Sequence, residues 1–298
     1  MDTSNPEARL PRVAVIGTGT MGSAMAARLL GAGMDVAVWS RHPSSTEAAN
    51  SLGATAYVDA ADAVAQADVT ITMLPTAAAI DTVMLDGKAL DAMTPDAIWV
   101  QMATIGVAAT DQLAAKIAIR RPDVVLVDAP VSGSKQPAES GQLLILASGP
   151  KDRAGLVDTV FAALGKRTLW LGPAGAGSAM KLVLNTWLAF QTEGAAESAA
   201  LAAHLGIAPD LLLDALHDSP LASPYALSKL ERMLKEDFQA DFSLDWALKD
   251  LDLASDADPE ATPAADAIAK RWRQLVENGA SGMDVSAARR GLGPGAAA

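Results

Sequence analysis

The chain has 298 residues, half of them hydrophobic, and a formal net charge of −12. This length is enough for one large domain or two ordinary ones. The acidic balance argues against nucleic acids and anionic membranes as partners, since both attract basic surfaces. The sequence has no cysteine and only three histidines, which excludes disulfides, thiol catalysis and cysteine-ligated metals and predicts no metal site.

The two ends of the sequence are polar or rich in small residues. The first residues have no apolar segment of the kind found in signal peptides, and no run of about 18 apolar residues follows anywhere. We therefore expect a cytoplasmic protein without a membrane partner. Residues 1–11 and 293–298 are predicted to be disordered.

The stretch that follows predicts a dinucleotide-binding unit. A short apolar strand at Val13–Ile16 leads into a G-x-G-x-x-G turn, a helix over 21–30 and a second apolar run at Val36–Trp39. Backbone N–H groups at the start of that helix would face the pyrophosphate. The alternative is a glycine-rich turn between two core elements. The predicted cofactor contacts of the turn are Gly17, Thr18, Gly19, Thr20, Met21 and Gly22.

The end of the second strand indicates which dinucleotide binds. An NAD site usually places an acid there for the ribose hydroxyls, but this sequence has Ser40 and Arg41 and no acid. A guanidinium can hold the 2′-phosphate of NADP with two parallel charge-assisted bonds. The sequence therefore predicts NADP (NADPH) as cofactor, the alternative being that Arg41 is a solvated loop residue.

Strands and helices alternate as far as residue 171. Further strands are expected at 56–58, 68–74, 97–102, 123–128, 143–147 and 168–171, which predicts an α/β doubly wound parallel sheet. After the glycine cluster at 172–177 only helical patterns follow, beginning with a long helix over 178–204. We expect an NADP-binding domain over 12–174 and an all-α domain over 175–292, with the substrate site in the cleft between them.

Polar or small residues follow three strands at the sheet edge where catalytic groups are expected. These segments contain Leu74 and Pro75, Thr104, and Ser132 with Gly133. For each, an ordinary strand-ending turn is the alternative.

Two lysines on helices are candidates for chemistry. Lys181 lies in the first turns of the long helix, and Asn185, four residues on, shares its face. Lys181 is either a general acid and base positioned by Asn185 or a lysine that extends its amine to solvent. Lys249 precedes Asp250, and a surface charge pair is the alternative there.

The sequence resembles the β-hydroxyacid dehydrogenase family over about residues 12–292. Four motifs carry the resemblance: GTGTMGSAMAARLLGAG from Gly17, DAPVSGSKQPAESGQLLILASG from Asp128, GAGSAMKLVLN from Gly175 and KDLDLA from Lys249. The second motif and Arg41 are most similar to the glyoxylate/succinic semialdehyde reductase branch.

The resemblance implies a Rossmann-type domain joined by the long helix to a helical domain, and a homodimer or homotetramer. It implies that Lys181 is catalytic and that Ser132, Gly133 and Asn185 hold the substrate. It also implies cofactor contacts, which are Leu74, Pro75, Thr104 and Lys249.

The resulting hypothesis is an NADP-dependent oxidoreductase that interconverts a small hydroxyacid and its aldehyde- or keto-acid, with Lys181 as general acid and base. The sequence departs from the family at Ala103, where a serine is usual, and at Gln101, where an aspartate is frequent. Trp187 and Trp246 are large side chains that would narrow or reshape the expected substrate pocket. An NADPH-dependent reductase of a bulkier carbonyl or an imine is the first alternative, and a non-catalytic NADP-binding scaffold is the second.

Overall fold

The computed structural model describes residues 9–292. The disorder predicted for residues 1–8 and 293–298 lies outside the described residues, whereas Pro11 is buried. The chain forms two compact units, the first ending at Lys181 and the second beginning at Leu182. This division falls within the long helix, a few residues after the glycine cluster.

A six-stranded parallel sheet forms the centre of the first unit, with the strand order β3-β2-β1-β4-β5-β6. Five of the six strands are buried along almost their whole length because both faces of the sheet are covered, whereas the two-residue β3 at the edge is exposed. The strands are β1 (Val13–Ile16), β2 (Val36–Trp39), β3 (Thr55–Ala56), β4 (Val69–Thr72), β5 (Ile98–Gln101) and β6 (Val125–Asp128).

Helices pack on both faces of this sheet. Alternate residues of β1 belong to two separate apolar cores, with Val13 and Val15 in one and Ala14 and Ile16 in the other. The doubly wound α/β architecture is thereby confirmed. The helices are α1 (Thr20–Gly31), α2 (Glu47–Ser51), α3 (Ala60–Val64), α4 (Ala77–Ile80), α5 (Ala89–Ala92), α6 (Val107–Arg120), α7 (Lys135–Glu139) and α8 (Val157–Leu164), with 3-10 turns at Pro43–Thr46 and Lys151–Arg153 and a π turn at Asp81–Asp86.

The last strands of the first unit differ from the expectation. They form a separate three-stranded sheet of β7 (Val131–Ser132), β8 (Leu143–Ala147) and β9 (Gly165–Trp170), in which β7 and β8 are antiparallel. Only two residues separate β7 from β6, far fewer than the crossover that a parallel neighbour needs. The chain therefore leaves the parallel sheet at this point instead of extending it.

The long helix α9 (Ala176–His204) continues into the second unit, which is helical as predicted. No strand occurs in the part of this unit that the structure describes. Within residues 9–292, every helix is too short or too polar to span a bilayer. The other helices are α10 (Pro209–Leu216), α11 (Pro224–Leu234), α12 (Leu244–Ala257) and α13 (Pro263–Leu275), followed by a π turn at Val276–Ala280 and a 3-10 turn at Val285–Arg289.

Buried ion pairs accompany the apolar core of the second unit. Lys229 donates to the Asp284 carboxylate at 2.8 and 3.0 Å, and Asp284 is fully buried. The same carboxylate accepts backbone N–H groups from Asp241, Phe242 and Ser286. Asp284 therefore holds the segment before α12 against the 3-10 turn at Val285–Arg289.

Candidate functional site

The turn between β1 and α1 requires glycine at two positions. The Gly17 N–H donates to the Trp39 carbonyl at 2.8 Å, and Gly17 has a φ of +102°. A Cβ there would lie 2.6 Å from the Met73 carbonyl oxygen. A Cβ on Gly22 would collide with the carbonyl oxygen of Gly17. Tight turning and close helix–strand packing, the two reasons for predicting these glycines, are both visible here.

The start of α1 lacks the side-chain partners that usually satisfy helix N–H groups. Gly19, the capping residue, makes no side-chain bond, the first turn has no acid, and Thr20 is exposed with Met21 half-buried behind it. A Cβ on Gly19 would meet nothing within 4 Å. The Thr18 hydroxyl is buried without a hydrogen-bond partner among residues 9–292, although Ser23 Oγ donates to the Thr18 carbonyl at 2.8 Å. Open space, unpaired donors and the positive helix end fit the phosphates of a dinucleotide.

The segment after β2 leaves the sheet at the same edge as this turn. The pairing of β1 with β2 aligns Ile16 with Trp39, so Gly17 and Ser40 follow at equivalent positions. Ser40 is half-buried and Arg41 is exposed. No hydrogen bond or ion pair of Arg41 is seen in the described part of the chain, and no acid occurs between residues 40 and 46. An exposed cation thus follows β2 at the edge of the sheet where the glycine turn lies.

The end of β4 adds an apolar wall to the same edge. The Met73 N–H donates to the Ile16 carbonyl at 2.9 Å, which holds this segment beside the glycine turn. Leu74 is buried and Pro75 is exposed. Thr76 then caps α4, its hydroxyl accepting from the Ala79 N–H at 3.2 Å. Both predicted cofactor contacts of this segment thus lie at the edge where we expected them.

The loop after β5 is fixed by a side chain whose role the sequence did not reveal. Gln101 is fully buried, donates to the Ala103 carbonyl at 2.6 Å and accepts the Ala103 N–H at 3.2 Å. Its amide oxygen also accepts from Thr72 Oγ1 at 3.1 Å, and Trp99 Nε1 donates to that hydroxyl at 2.9 Å. Thr104, half-buried, follows directly. The two departures from the family pattern are therefore bonded to each other and hold the loop that bears Thr104.

The segment after β6 carries the predicted substrate contacts. Ser132 ends β7 and is half-buried, and Gly133 is exposed with a φ of +129°. Because β6 aligns Asp128 with Gln101 of β5, this segment leaves the parallel sheet beside the Thr104 loop. The structure thus gathers the five predicted strand-end segments of the first unit along one edge.

Asp128, the last residue of β6, binds the start of α9. Its carboxylate accepts the Ser178 N–H and the Ser178 hydroxyl, both at 2.8 Å, and the Ser148 hydroxyl at 3.0 Å. Burial raises the pKa of the Asp128 carboxyl above its ordinary value, and the bonds from Ser178 and Ser148 offset part of this rise. Lys181, half-buried, is three residues beyond Ser178. The candidate proton donor is thereby tied to the strand-end edge.

Asn185 and Lys249 lie in the second unit, where they share a partner. The Asn185 amide donates to the Asp250 carboxylate, and Lys249 Nζ lies 3.0 Å from Asp250 Oδ1. Asp250 is only 4% exposed, so the charge pair that the alternative expected is present but is partly buried and not fully on the surface. Lys249 Nζ also lies 5.5 Å from the centre of the Trp246 ring. Sequence reasoning placed Asn185 beside Lys181 on one helix face but missed its bond to Asp250.

Two family models match the chain almost from end to end. Residues 12–172 match the NAD binding domain of 6-phosphogluconate dehydrogenase. Residues 175–292 match the NAD-binding domain of NADP-dependent 3-hydroxyisobutyrate dehydrogenase.

Individual relatives agree with these matches. The chain is 33% identical to glyoxylate/succinic semialdehyde reductase 1 of Arabidopsis thaliana over 92% of this chain and 96% of the relative. The solved structure of Mycobacterium tuberculosis 3-hydroxyisobutyrate dehydrogenase with L-serine superposes with a TM-score of 0.85 at 28% identity, covering 94% of this chain and 98% of that one. An imine reductase from Myxococcus stipitatus shares the fold, with a TM-score of 0.67 at 20% identity over 93% and 98% of the two chains.

Proposed function

The chain belongs to the β-hydroxyacid dehydrogenase family, and on that premise we propose that it is an NADP-dependent oxidoreductase interconverting a small hydroxyacid and its aldehyde- or keto-acid. One observation carries the proposal. The glycine turn and the uncapped start of α1 lie at one edge of the parallel sheet. Asp128 at the same edge binds the first turn of α9, the helix that bears Lys181.

The cofactor part of the proposal rests on the glycine turn and on Arg41. Gly19 and the uncapped start of α1 would hold the pyrophosphate, and Ser40 with Arg41 would hold the 2′-phosphate. The bound nicotinamide supplies or accepts the hydride. The further proposed contacts are Gly17, Thr18, Thr20, Met21, Gly22, Leu74, Pro75, Thr104 and Lys249.

Lys181 has the proton-transfer role. Its ammonium gives a proton to the carbonyl oxygen as negative charge develops there, and in the reverse direction its amine takes the proton from the hydroxyl. The half-buried position of Lys181 limits competition from water. This role requires the amine to be held at a fixed distance from the reacting oxygen.

Hydrogen-bond donors support an acidic substrate. The Ser132 hydroxyl, the Gly133 N–H and the Asn185 amide are proposed to hold the carboxylate beside the reacting carbonyl. Asn185 gives one amide hydrogen to Asp250, which keeps its amide in a defined orientation. A neutral aldehyde would leave such donors unpaired, at a cost of about 1–3 kcal/mol for each one that is buried.

A substrate panel under NADPH tests this proposal. We expect kcat/KM for glyoxylate or succinic semialdehyde to exceed that for butanal by at least about tenfold. Lys181→Ala should lower kcat by about 10²–10⁴ while NADPH affinity is kept. Lys235→Ala, which alters an exposed lysine of the second unit, is the matched control and should leave turnover unchanged.

The contrary outcomes distinguish the alternatives. Faster turnover of butanal or of a cyclic imine would replace the small acid with a bulkier carbonyl or an imine. A Lys181→Ala protein that keeps its turnover would remove the proposed proton donor. Binding of NADPH without turnover of any substrate would indicate a scaffold.

Two further proposals concern the protein in the cell. We propose a homodimer or homotetramer, supported by exposed apolar side chains on α9. The cytoplasmic location stays a prediction, which fractionation of cells expressing the full-length protein would test.

A further inference from the structure

Side chains cap the start of α9, the helix that bears Lys181, whereas no side chain caps the start of α1. The first N–H groups of an α-helix have no partner within the helix. In α9 the first three of these N–H groups have partners outside the helix. The three bonds run from Ala176 to the Pro173 carbonyl (3.2 Å), from Gly177 to Ser148 Oγ (2.9 Å) and from Ser178 to Asp128 Oδ2 (2.8 Å).

The two side-chain partners form one buried network. Asp128 Oδ1 accepts from Ser178 Oγ at 2.8 Å, and Asp128 Oδ2 accepts from Ser148 Oγ at 3.0 Å. Thr110 Oγ1 lies 3.0 Å from Ser178 Oγ. Asp128, Ser148, Ser178 and Thr110 are each at most 1% exposed. Every contact is therefore shielded from water, and charge-assisted hydrogen bonds are strongest in such a buried environment.

Packing leaves this first turn little freedom to move. A Cβ on Gly177 would collide with the Leu146 carbonyl oxygen and would lie 3.0 Å from the Asp128 carbonyl oxygen. The backbone of α9 thus runs directly against β6 and β8. Lys181 follows one turn later on the same rigid helix, so its backbone position is set by where this turn is held.

We propose that Asp128 is a positioning residue for the reaction, setting through the first turn of α9 the place from which Lys181 exchanges its proton. This inference rests on the proposed function. A carboxylate suits the task because both of its oxygens accept and three donors converge on it. An asparagine would offer one acceptor oxygen and an NH₂ group, so at least one of those donors would lose its partner. A displacement of about 1 Å at a catalytic group can cost about a hundredfold in rate.

A double-mutant cycle tests the proposal on the full-length enzyme with NADPH and glyoxylate. Asp128→Asn should lower kcat by about 10- to 100-fold. In a Lys181→Ala background the same change should lower kcat by less than about twofold, since the group it positions is gone. NADPH affinity should stay within about twofold in all variants.

Controls separate positioning from stability. Asp284→Asn alters another buried carboxylate that holds a turn in the second unit, and it should lower Tm while kcat is unchanged. Should Asp128→Asn not fold, Ser178→Ala takes its place in the cycle, because it removes the hydroxyl bond and keeps the backbone bond to Asp128. Hydrogen exchange at the amides of Gly177 and Ser178 should accelerate in either variant.

Each outcome bears on a defined claim. The positioning role alone is overturned if the kcat losses of the two single substitutions are additive in the double mutant. It is also overturned if Asp128→Asn changes neither amide hydrogen exchange nor turnover. A Lys181→Ala enzyme with full turnover overturns the proposed proton donor and this inference with it. Non-additive losses together with faster exchange support both.

Discussion

Arg41 determines, in the proposed function, which nicotinamide dinucleotide the enzyme uses. It follows β2 at the edge where the glycine turn lies, and no acid occurs between residues 40 and 46. An acid at this place would accept ribose hydroxyls and repel a phosphate. A guanidinium does the opposite, because its planar donors match phosphate oxygens.

Arg41→Ala should therefore weaken NADPH binding by tenfold or more, corresponding to about 1.5–3 kcal/mol, and leave NADH binding nearly unchanged. Titration of each cofactor by fluorescence measures both effects. Arg9→Ala is the control, since Arg9 pairs with Asp68 before β4 and should affect neither cofactor. Equal losses for NADPH and NADH would contradict the proposed phosphate contact.

The sequence predicted the glycines of the cofactor turn because the backbone geometry that requires them is set by neighbouring residues in the chain. Gly17 and Gly22 are required by a turn and a helix that adjoin them in the chain. Gln101 and Asp128 could not be interpreted in the same way. Gln101 bonds to Thr72, 29 residues earlier, and Asp128 bonds to Ser178, 50 residues later.

At the scale of elements, hydrophobic periodicity predicted the types of the main helices and strands but not how all the strands pair. The apolar run of β8 resembles that of β1, and strands alternate with helices as far as residue 171, so a continuous parallel sheet was expected. The chain runs from β6 into β7 across only two residues, and β8 returns antiparallel to both, with Asp128 bridged to Ser148 and Val131 paired with Ile145. Short connections, rather than the composition of the strands, decided that part of the fold, because a parallel neighbour needs a longer crossover.

The helices of the second unit depend on a buried carboxylate whose ionisation links their packing to pH. Burial opposes ionisation of Asp284, but the bonds from Lys229 and from the Ser286 and Phe242 N–H groups outweigh it and hold the pKa of this carboxyl below its ordinary value. The unfolded chain then binds a proton more readily than the folded one. The stability that Asp284 contributes is present above its ordinary pKa of about 4 and is lost as the pH falls through its folded value.

Asp284→Asn should accordingly lower the free energy of unfolding at about pH 7 and reduce its decline towards about pH 3. Urea unfolding at the two pH values measures the change. Asp252→Asn, which breaks an exposed ion pair with Arg273, should alter stability by less than about 1 kcal/mol at either pH. A wild-type and an Asp284→Asn protein with parallel pH profiles would show that this carboxylate does not carry the dependence.

At the scale of the whole molecule, the surface of the helical unit argues for a second copy of the chain. Large apolar side chains are exposed along α9 and just beyond it, and they are Val183, Trp187, Leu201, Leu205, Ile207 and Leu211. Single exposed apolar residues are ordinary, but a series along one 29-residue helix and its successor is typical of an interface.

We therefore expect at least a homodimer at micromolar concentration, with this surface buried between the copies. Leu201→Glu combined with Leu205→Glu should shift the mass towards the monomer, because two buried carboxylates would face an apolar partner surface without counter-charges. Leu52→Glu, a comparably exposed leucine of the first unit, should leave the mass unchanged. Light scattering across a dilution series measures all three proteins. A monomeric wild type would refute the assembly, and a dimer that survives the double substitution would place its interface elsewhere on the molecule.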